Sequence, residues 1–231
     1  MKTSRAIHRI GPVVNLRAEV EQALSAAIIS GELKPGNVVS VPTLAAQFEV
    51  SATPVREAML QLEKRGFVES VRNKGFRITH VGEDDLQGIV QVRRWLEIPA
   101  TRLAAEDFPT EDLPRFRSLA DKIKQAAAEG RFADYLAADS DFHLAIMRLT
   151  GNERLVRLVA ELRSQTRMVG LAELRDTVEL ENSANEHHVL LDLLVAGKPD
   201  EAEELMHRHI GHILGWWAGR RENQAEIDNS A

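Results

Sequence analysis

Apolar side chains recur along this chain with two different rhythms, and the change between them divides it in two. From Leu16 onward Val20, Leu24, Ala27 and Ile28 return every three or four residues, which predicts an amphipathic helix with Asn15 as its N-cap. Gly31 ends it, and Pro35-Gly36 turns the chain into an extended segment carrying Val38, Val39 and Val41. Thr43 to Phe48 predicts a brief second helix, too short to stand without packing on its neighbours. After the turn Glu49-Val50-Ser51, the pair Thr53-Pro54 predicts the start of a third. There the threonine hydroxyl would cap an orphan N–H, with proline at the first helical position. This helix buries Val55, Ala58, Met59 and Leu62, shows Arg56, Gln61 and Lys64 on its other face, and stops at Gly66. Phe67 to Val71 and Phe76 to Thr79 then predict two strands, joined through Arg72-Asn73-Lys74-Gly75 into a hairpin with a basic tip.

From Glu83 the pattern holds only the helical period. It predicts helices over 83–107, 110–129, 131–149, 152–171, 174–196 and 199–221, with Pro109, Gly130, Gly151 and Gly197 at the junctions. Pro99 falls inside the first of them and is expected to kink it. The polar tail beyond Arg221 is expected to fray. The expected fold is mainly α. A winged helix-turn-helix of three helices and a hairpin occupies residues 10–80, and an all-helical antiparallel bundle occupies 83–222.

Composition narrows the function classes. No apolar run approaches the roughly 20 residues that span a bilayer, and Met1 to Asn15 has no apolar core of signal-peptide length. Without cysteine there is neither a disulfide framework nor thiolate chemistry, so a cytoplasmic protein is expected. The net charge of -6 conceals an asymmetry. Residues 1–80 hold 11 Lys+Arg against 7 Asp+Glu, a balance of +4; residues 81–231 hold 18 against 28, a balance of -10. A basic module joined to an acidic one suits a protein that meets phosphate at one end only.

Two constellations carry candidate chemistry. In the first, Ser51 and Thr53 stand at the third helix's N-terminus, where free N–H groups attract phosphate, and Arg56 lies one turn in. Arg72 and Lys74 on the hairpin tip are placed to follow the adjacent DNA backbone or minor groove. In the second, polar groups sit on stripes that should be apolar. Asp139 and His143 share one helix face with Leu136 and Met147, His187 shares a stripe with Leu190, Leu191 and Leu194, and His209 interrupts Ala202, Leu205, Met206 and Ile213. Buried without partners, these groups would each cost roughly 1–3 kcal/mol, the carboxylate more. Two arrangements relieve that cost. Each histidine can be a hydrogen-bonded core residue, or all four groups can share a divalent ion such as zinc, nickel, manganese or iron.

The stretches Ile29-Ser-Gly-Glu-Leu-Lys-Pro-Gly36, Leu44-Ala-Ala, Ser51-Ala-Thr-Pro-Val-Arg-Glu-Ala-Met59 and Leu62-Glu-Lys-Arg-Gly66 resemble the GntR family of bacterial regulators. The likeness is greatest to the FadR-type branch with its C-terminal helical FCD domain, and it covers nearly the whole chain. It implies a homodimeric transcription regulator, expected as a repressor, with operator DNA as partner. The DNA contacts it implies fall at Ser51, Thr53, Arg56 and the wing with its Gly75. Two positions depart from the family pattern. Ala52 stands where many relatives have arginine, and Pro42 or Thr43 where an arginine often precedes the second helix, so the operator sequence does not transfer. Asp139-Ser-Asp-Phe-His143, Glu186-His187 and His209 match the metal-binding pattern of many FCD domains. The resemblance implies a small carboxylate effector above the ion, with Arg93 of an Arg-x-x-x-Glu pair with Glu97 as its complement; a surface ion pair is the alternative for Arg93. His188, His207 and His212 lie outside the pattern and are expected on the surface, and Asp141 faces away. Two rival functions remain. One is a metal-dependent hydrolase with Glu186 as base, the other an interaction module with a structural metal.

Overall fold

The structure is a computed structural model that describes residues 16–80, 82–166 and 171–215. The cap expected at Asn15, the helix beyond residue 215 and the frayed tail past Arg221 lie outside the described residues.

The N-terminal part builds a winged helix. Helices α1 (Leu16–Ile29), α2 (Val41–Gln47) and α3 (Ala52–Lys64) are followed by strands β2 (Val68–Val71) and β3 (Gly75–Ile78). Strand β1 (Val38–Val39) pairs with β3, giving the antiparallel order β1-β3-β2. Val55, Ala58, Met59 and Leu62 of α3 are fully buried, as their spacing predicts, against Leu24, Ile28, Phe67 and Ile78. The hairpin tip uses two left-handed residues, Asn73 at φ 59° and Gly75 at φ 121°. A Cβ at Gly75 would stand 2.2 Å from the Val39 carbonyl oxygen, so the glycine is needed for β1 to reach β3.

Two helix starts differ from the expected ones. α2 begins at Val41, because the Ser40 side chain accepts a hydrogen bond from the Thr43 N–H at 3.2 Å and Pro42 fits the first turn. α3 begins at Ala52 with Ser51 as N-cap, so Thr53 is not the cap and Pro54 is not at the first position. Proline is tolerated there because none of the first four N–H groups has an intrahelical acceptor.

The remainder is all helical: α4 (Glu83–Glu106), α5 (Leu113–Ala128), α6 (Phe132–Leu149), α7 (Glu153–Gln165), α8 (Val178–Val195) and α9 (Pro199–Gly211), with single 3₁₀ turns at Thr110–Asp112 and Leu171–Leu174. α4 lies against α9, α5 against α6 and α8, and α7 against α6 and α4. Phe116, Phe142, Ile146, Leu191 and Met206 fill the space between them. α4 runs through Pro99, which lies, with Trp95 one turn before it, on an exposed face of the helix. The helices expected over 152–171 and 174–196 are shorter at their junction. Thr166 adopts an extended conformation (φ -65°, ψ 124°), and the Thr177 hydroxyl caps α8 by accepting from the Leu180 N–H. α1 packs on α3 and also on α6, which joins the winged helix to the bundle.

Candidate functional site

The putting-together of the first constellation follows from α3. Ser51, Thr53 and Arg56 are all exposed at its N-terminal end, and Arg72 and Lys74 are exposed at the wing tip. Other arginines of this part are paired: Arg17 and Arg65 with Glu21, and Arg77 with Glu69. Among the described residues no ion pair engages Arg56, Arg72 or Lys74. Gly75 is half-buried, and its role within the fold is the close approach of β1.

The second constellation does come together. Asp139 and His143 on α6, His187 on α8 and His209 on α9 place one donor atom each within 4.8 Å of the others. His143 and His187 are fully enclosed, Asp139 is buried, and His209 is nearly so. His187 Nε2 lies 3.1 Å from Asp139 Oδ1 and 3.2 Å from His143 Nε2. Two of the rings have their proton positions set from behind. His187 Nδ1 faces the Ala184 carbonyl at 3.1 Å and His209 Nδ1 faces Glu186 Oε2 at 2.8 Å. A carbonyl and a carboxylate only accept, so Nδ1 carries a hydrogen in both rings, and the neutral form of each ring bears its lone pair on Nε2. Those lone pairs point into a buried space shared with a carboxylate oxygen. His143 Nδ1 has no hydrogen-bond partner. Acceptors facing acceptors in a buried space are what a cation relieves, and the residues fit a divalent metal.

The electrostatics agree. Burial alone would raise the Asp139 carboxyl, but Arg163 and the histidines hold it well below the usual carboxylate range. Burial, with Arg163 adding, pushes His143 well below an ordinary imidazole, so this ring is neutral and free to coordinate. Burial also lowers His209, against the pull of Glu186. Glu186 in turn is driven far down, because hydrogen bonds from His209 and His212 outweigh its own burial.

Behind Asp139 runs a buried ionic chain. Arg163 donates to Asp139 and, at 2.8 Å, to Glu97; Glu97 accepts from Arg93 at 2.6 Å; Arg93 also reaches the Thr166 hydroxyl at 3.2 Å. Arg93 is therefore not in a surface ion pair: its side chain is 2% exposed and that of Glu97 0%. Burial would neutralise Glu97, but Arg93 and Arg163 hold its pKa below the ordinary value.

Comparison with known proteins settles the family. Residues 16–78 match the profile described as "Bacterial regulatory proteins, gntR family", and residues 88–212 match the FCD domain. The chain belongs to the GntR family and carries an FCD domain. This GntR-family protein is 32% identical over 197 residues to a probable D-xylose utilization operon transcriptional repressor of Paenarthrobacter nicotinovorans, covering 85% of this chain and 86% of that one. It is 31% identical over 185 residues to the HTH-type transcriptional regulator McbR of Escherichia coli (strain K12), covering 79% and 84%. The solved structure titled "E. coli McbR/YncC" superposes with a TM-score of 0.72 at 27% identity, over 90% of this chain and 99% of the other. The protein is a DNA-binding transcriptional regulator, and its family and relatives are regulators rather than enzymes. The hydrolase reading has no support. No described helix is long and apolar enough to cross a membrane.

Three participants in this regulator's site escaped the sequence reading. His212 is 2% exposed and donates from Nε2 to Glu186 Oε2 across 3.1 Å, so it is not a surface group. His188 and His207 are outside the cluster, and Asp141 is exposed. Arg163 and Thr166 were missed too. The signal for Arg163 was present, because Val156, Val159 and Arg163 form one buried stripe of α7. Glu186 is the partner of His209 rather than a free base.

Proposed function

We propose that this is a homodimeric, repressor-type regulator whose operator affinity is set by a small organic acid bound beside a divalent metal. The reader domain would span 10–80 and the sensor domain 83–222, and the protein would act in the cytoplasm, where its DNA is. The observation that carries the reading is the buried convergence of Asp139, His143, His187 and His209 on one point. These four residues would hold the ion, with zinc the first choice and nickel, manganese or iron suited to the same donors. When bound, the ion would supply positive charge and open positions for an anion.

Arg93 would complement the acid's carboxylate, and its orientation is fixed in advance by Glu97 and Thr166. Ser51, Thr53 and Arg56 would meet the operator through the major groove, with Arg72, Lys74 and Gly75 following from the wing. One recognition helix reads few base pairs, which favours two copies on a pseudo-palindrome. An exposed face of α4 supports that assembly. Gly88, Val92, Trp95, Pro99 and Leu103 fall within an arc of about 80° at 100° per residue, and Trp95 is 65% and Leu103 56% exposed. A second copy of the chain is the occupant proposed for it. α4 also carries Arg93 and begins just after the wing, so it is the element through which an acid would tilt the reader.

Ligand can shift the operator-competent arrangement only as far as its affinities for the two arrangements differ. Linkage then demands the reciprocal effect. Titration calorimetry of organic acids into the metal-loaded protein, with and without operator DNA, should give affinities that differ. Equal affinities in both titrations would remove the regulatory link.

A further inference from the structure

A cavity of about 390 Å³ lies between the winged helix and the bundle. One wall is α1 with Glu21, Gln22 and Ser25, joined by Arg65; the other is α6 and α7, reaching Arg93, Asp139 and Arg163. The volume is within the range of small-molecule sites, about 300–1,000 Å³.

We propose that this cavity is the outer half of the effector site, and that it selects an organic acid with an anionic group at each end. The proposal rests on the metal-and-acid reading above and adds to it the wall supplied by the reader domain. The two ends of the cavity have the chemistry for this and the middle does not. At the inner end Arg93, Arg163, Glu97 and Asp139 balance one another, so a divalent ion held by the four donors would leave an excess of positive charge there. At the outer end a single carboxylate, Glu21, serves two cations, Arg17 at 3.5 Å and Arg65 at 3.3 Å. Arg65 is exposed and is steadied by its guanidinium lying 4.8 Å over the Phe67 ring, so it is available to a second acceptor. The rest of the lining carries no charge and joins apolar Ala26, Ile29, Leu136 and Ala160 to the hydroxyls of Ser25, Ser140 and Ser164.

The position of Arg65 gives the contact a consequence. It is the residue that ends α3, whose other end presents Ser51 and Thr53. An acid that bridges Arg93 and Arg65 therefore ties the far end of the recognition helix to the bundle. A monocarboxylate would occupy the inner end alone and leave α3 untethered.

The test is calorimetry on the full-length, zinc-loaded protein with linear dicarboxylates, malonate through adipate, against monocarboxylates of equal length. At least one dicarboxylate should bind about fivefold more tightly than its monocarboxylate partner, the most that a solvent-exposed ion pair normally gives. Arg65→Ala should erase that difference while leaving monocarboxylate affinity as it was, and Arg65→Lys should restore part of it. Gln22→Glu, an exposed change that keeps the helix, should weaken dicarboxylates selectively by placing a like charge in the wall. A dicarboxylate preference that survives both Arg65→Ala and Gln22→Glu, or no preference in the wild type, overturns the outer site and leaves the acid sensor standing. If neither class of acid binds the wild type, the acid-sensor reading falls with it.

Discussion

Single side chains here divide into those free to meet a partner and those already committed within the fold. Arg56 belongs to the first group, being exposed one turn into α3 with no ion pair among the described residues. Arg56→Ala should weaken operator binding by roughly 1–3 kcal/mol, read by fluorescence anisotropy, with an unchanged thermal midpoint. Unaltered binding would mean that another helix reads the groove. Glu97 belongs to the second group, a carboxylate with no exposure between two arginines. Glu97→Gln leaves Arg93 without its anion and Arg163 with Asp139 alone, and should cost about 3–5 kcal/mol at neutral pH. The folded pKa of Glu97 lies below its ordinary value of 4.5. The stabilisation is therefore fully present above that value and is lost as pH falls through the folded pKa. Urea midpoints of wild type and variant should be far apart at pH 7 and converge below about pH 4.5. A gap that stays constant with pH would show that Glu97 is not held ionised by its neighbours.

At the scale of elements, the core faces of α1, α3 and the long helices were legible because the 3.6-residue period and burial coincide. What the pattern misplaced were ends. Ser40, not Thr43, opens α2, and Thr166 takes the chain out of α7 well before the next turn, because local hydrogen bonds outrank periodicity at a terminus. The candidate metal donors sit on three helices, α6, α8 and α9, and an ion shared among them would pin those helices together. Glu186 on α8 fixes the proton of His209 on α9, so the two helices also meet through that pair. Glu186→Ala should lower zinc affinity roughly tenfold to a hundredfold in a chelator competition. His209→Ala should go further and lower the thermal midpoint of the zinc-loaded protein. The exposed His207 of the same helix serves as control, and His207→Ala should change neither reading. Equal effects of His207→Ala and His209→Ala would discard the proposed centre.

The whole molecule joins a basic reader to an acidic bundle through α1, which packs on α3 and α6 at once. That double packing makes the reader's orientation depend on the bundle. In the proposed dimer the apolar face of α4 would add a second level, since two readers would be spaced by one assembly. Leu103→Glu places a charge on that face, where the wild-type side chain is 56% exposed. Sedimentation should show the variant shifted toward monomer, with operator affinity reduced in parallel and the thermal midpoint of each chain nearly kept. A wild type that is monomeric at operator-binding concentrations would refute the dimer.

Much of this protein was written in its sequence. The mainly α class, the three helices and wing, and the four donor residues on helical stripes all follow from spacing, because an i, i+4 pair shares a face whatever surrounds it. Proximity between helices is a different matter. That Asp139, His143, His187 and His209 meet at one point, with Glu186 and His212 behind them, depends on how α6, α8 and α9 pack, which no single helix encodes. Arg163 shows the same limit, an arginine on an apolar stripe whose two carboxylate partners stand 24 and 66 residues away along the chain. Only the tertiary structure brought them together, because the ionic chain exists where helices cross and its burial fixes which groups stay charged.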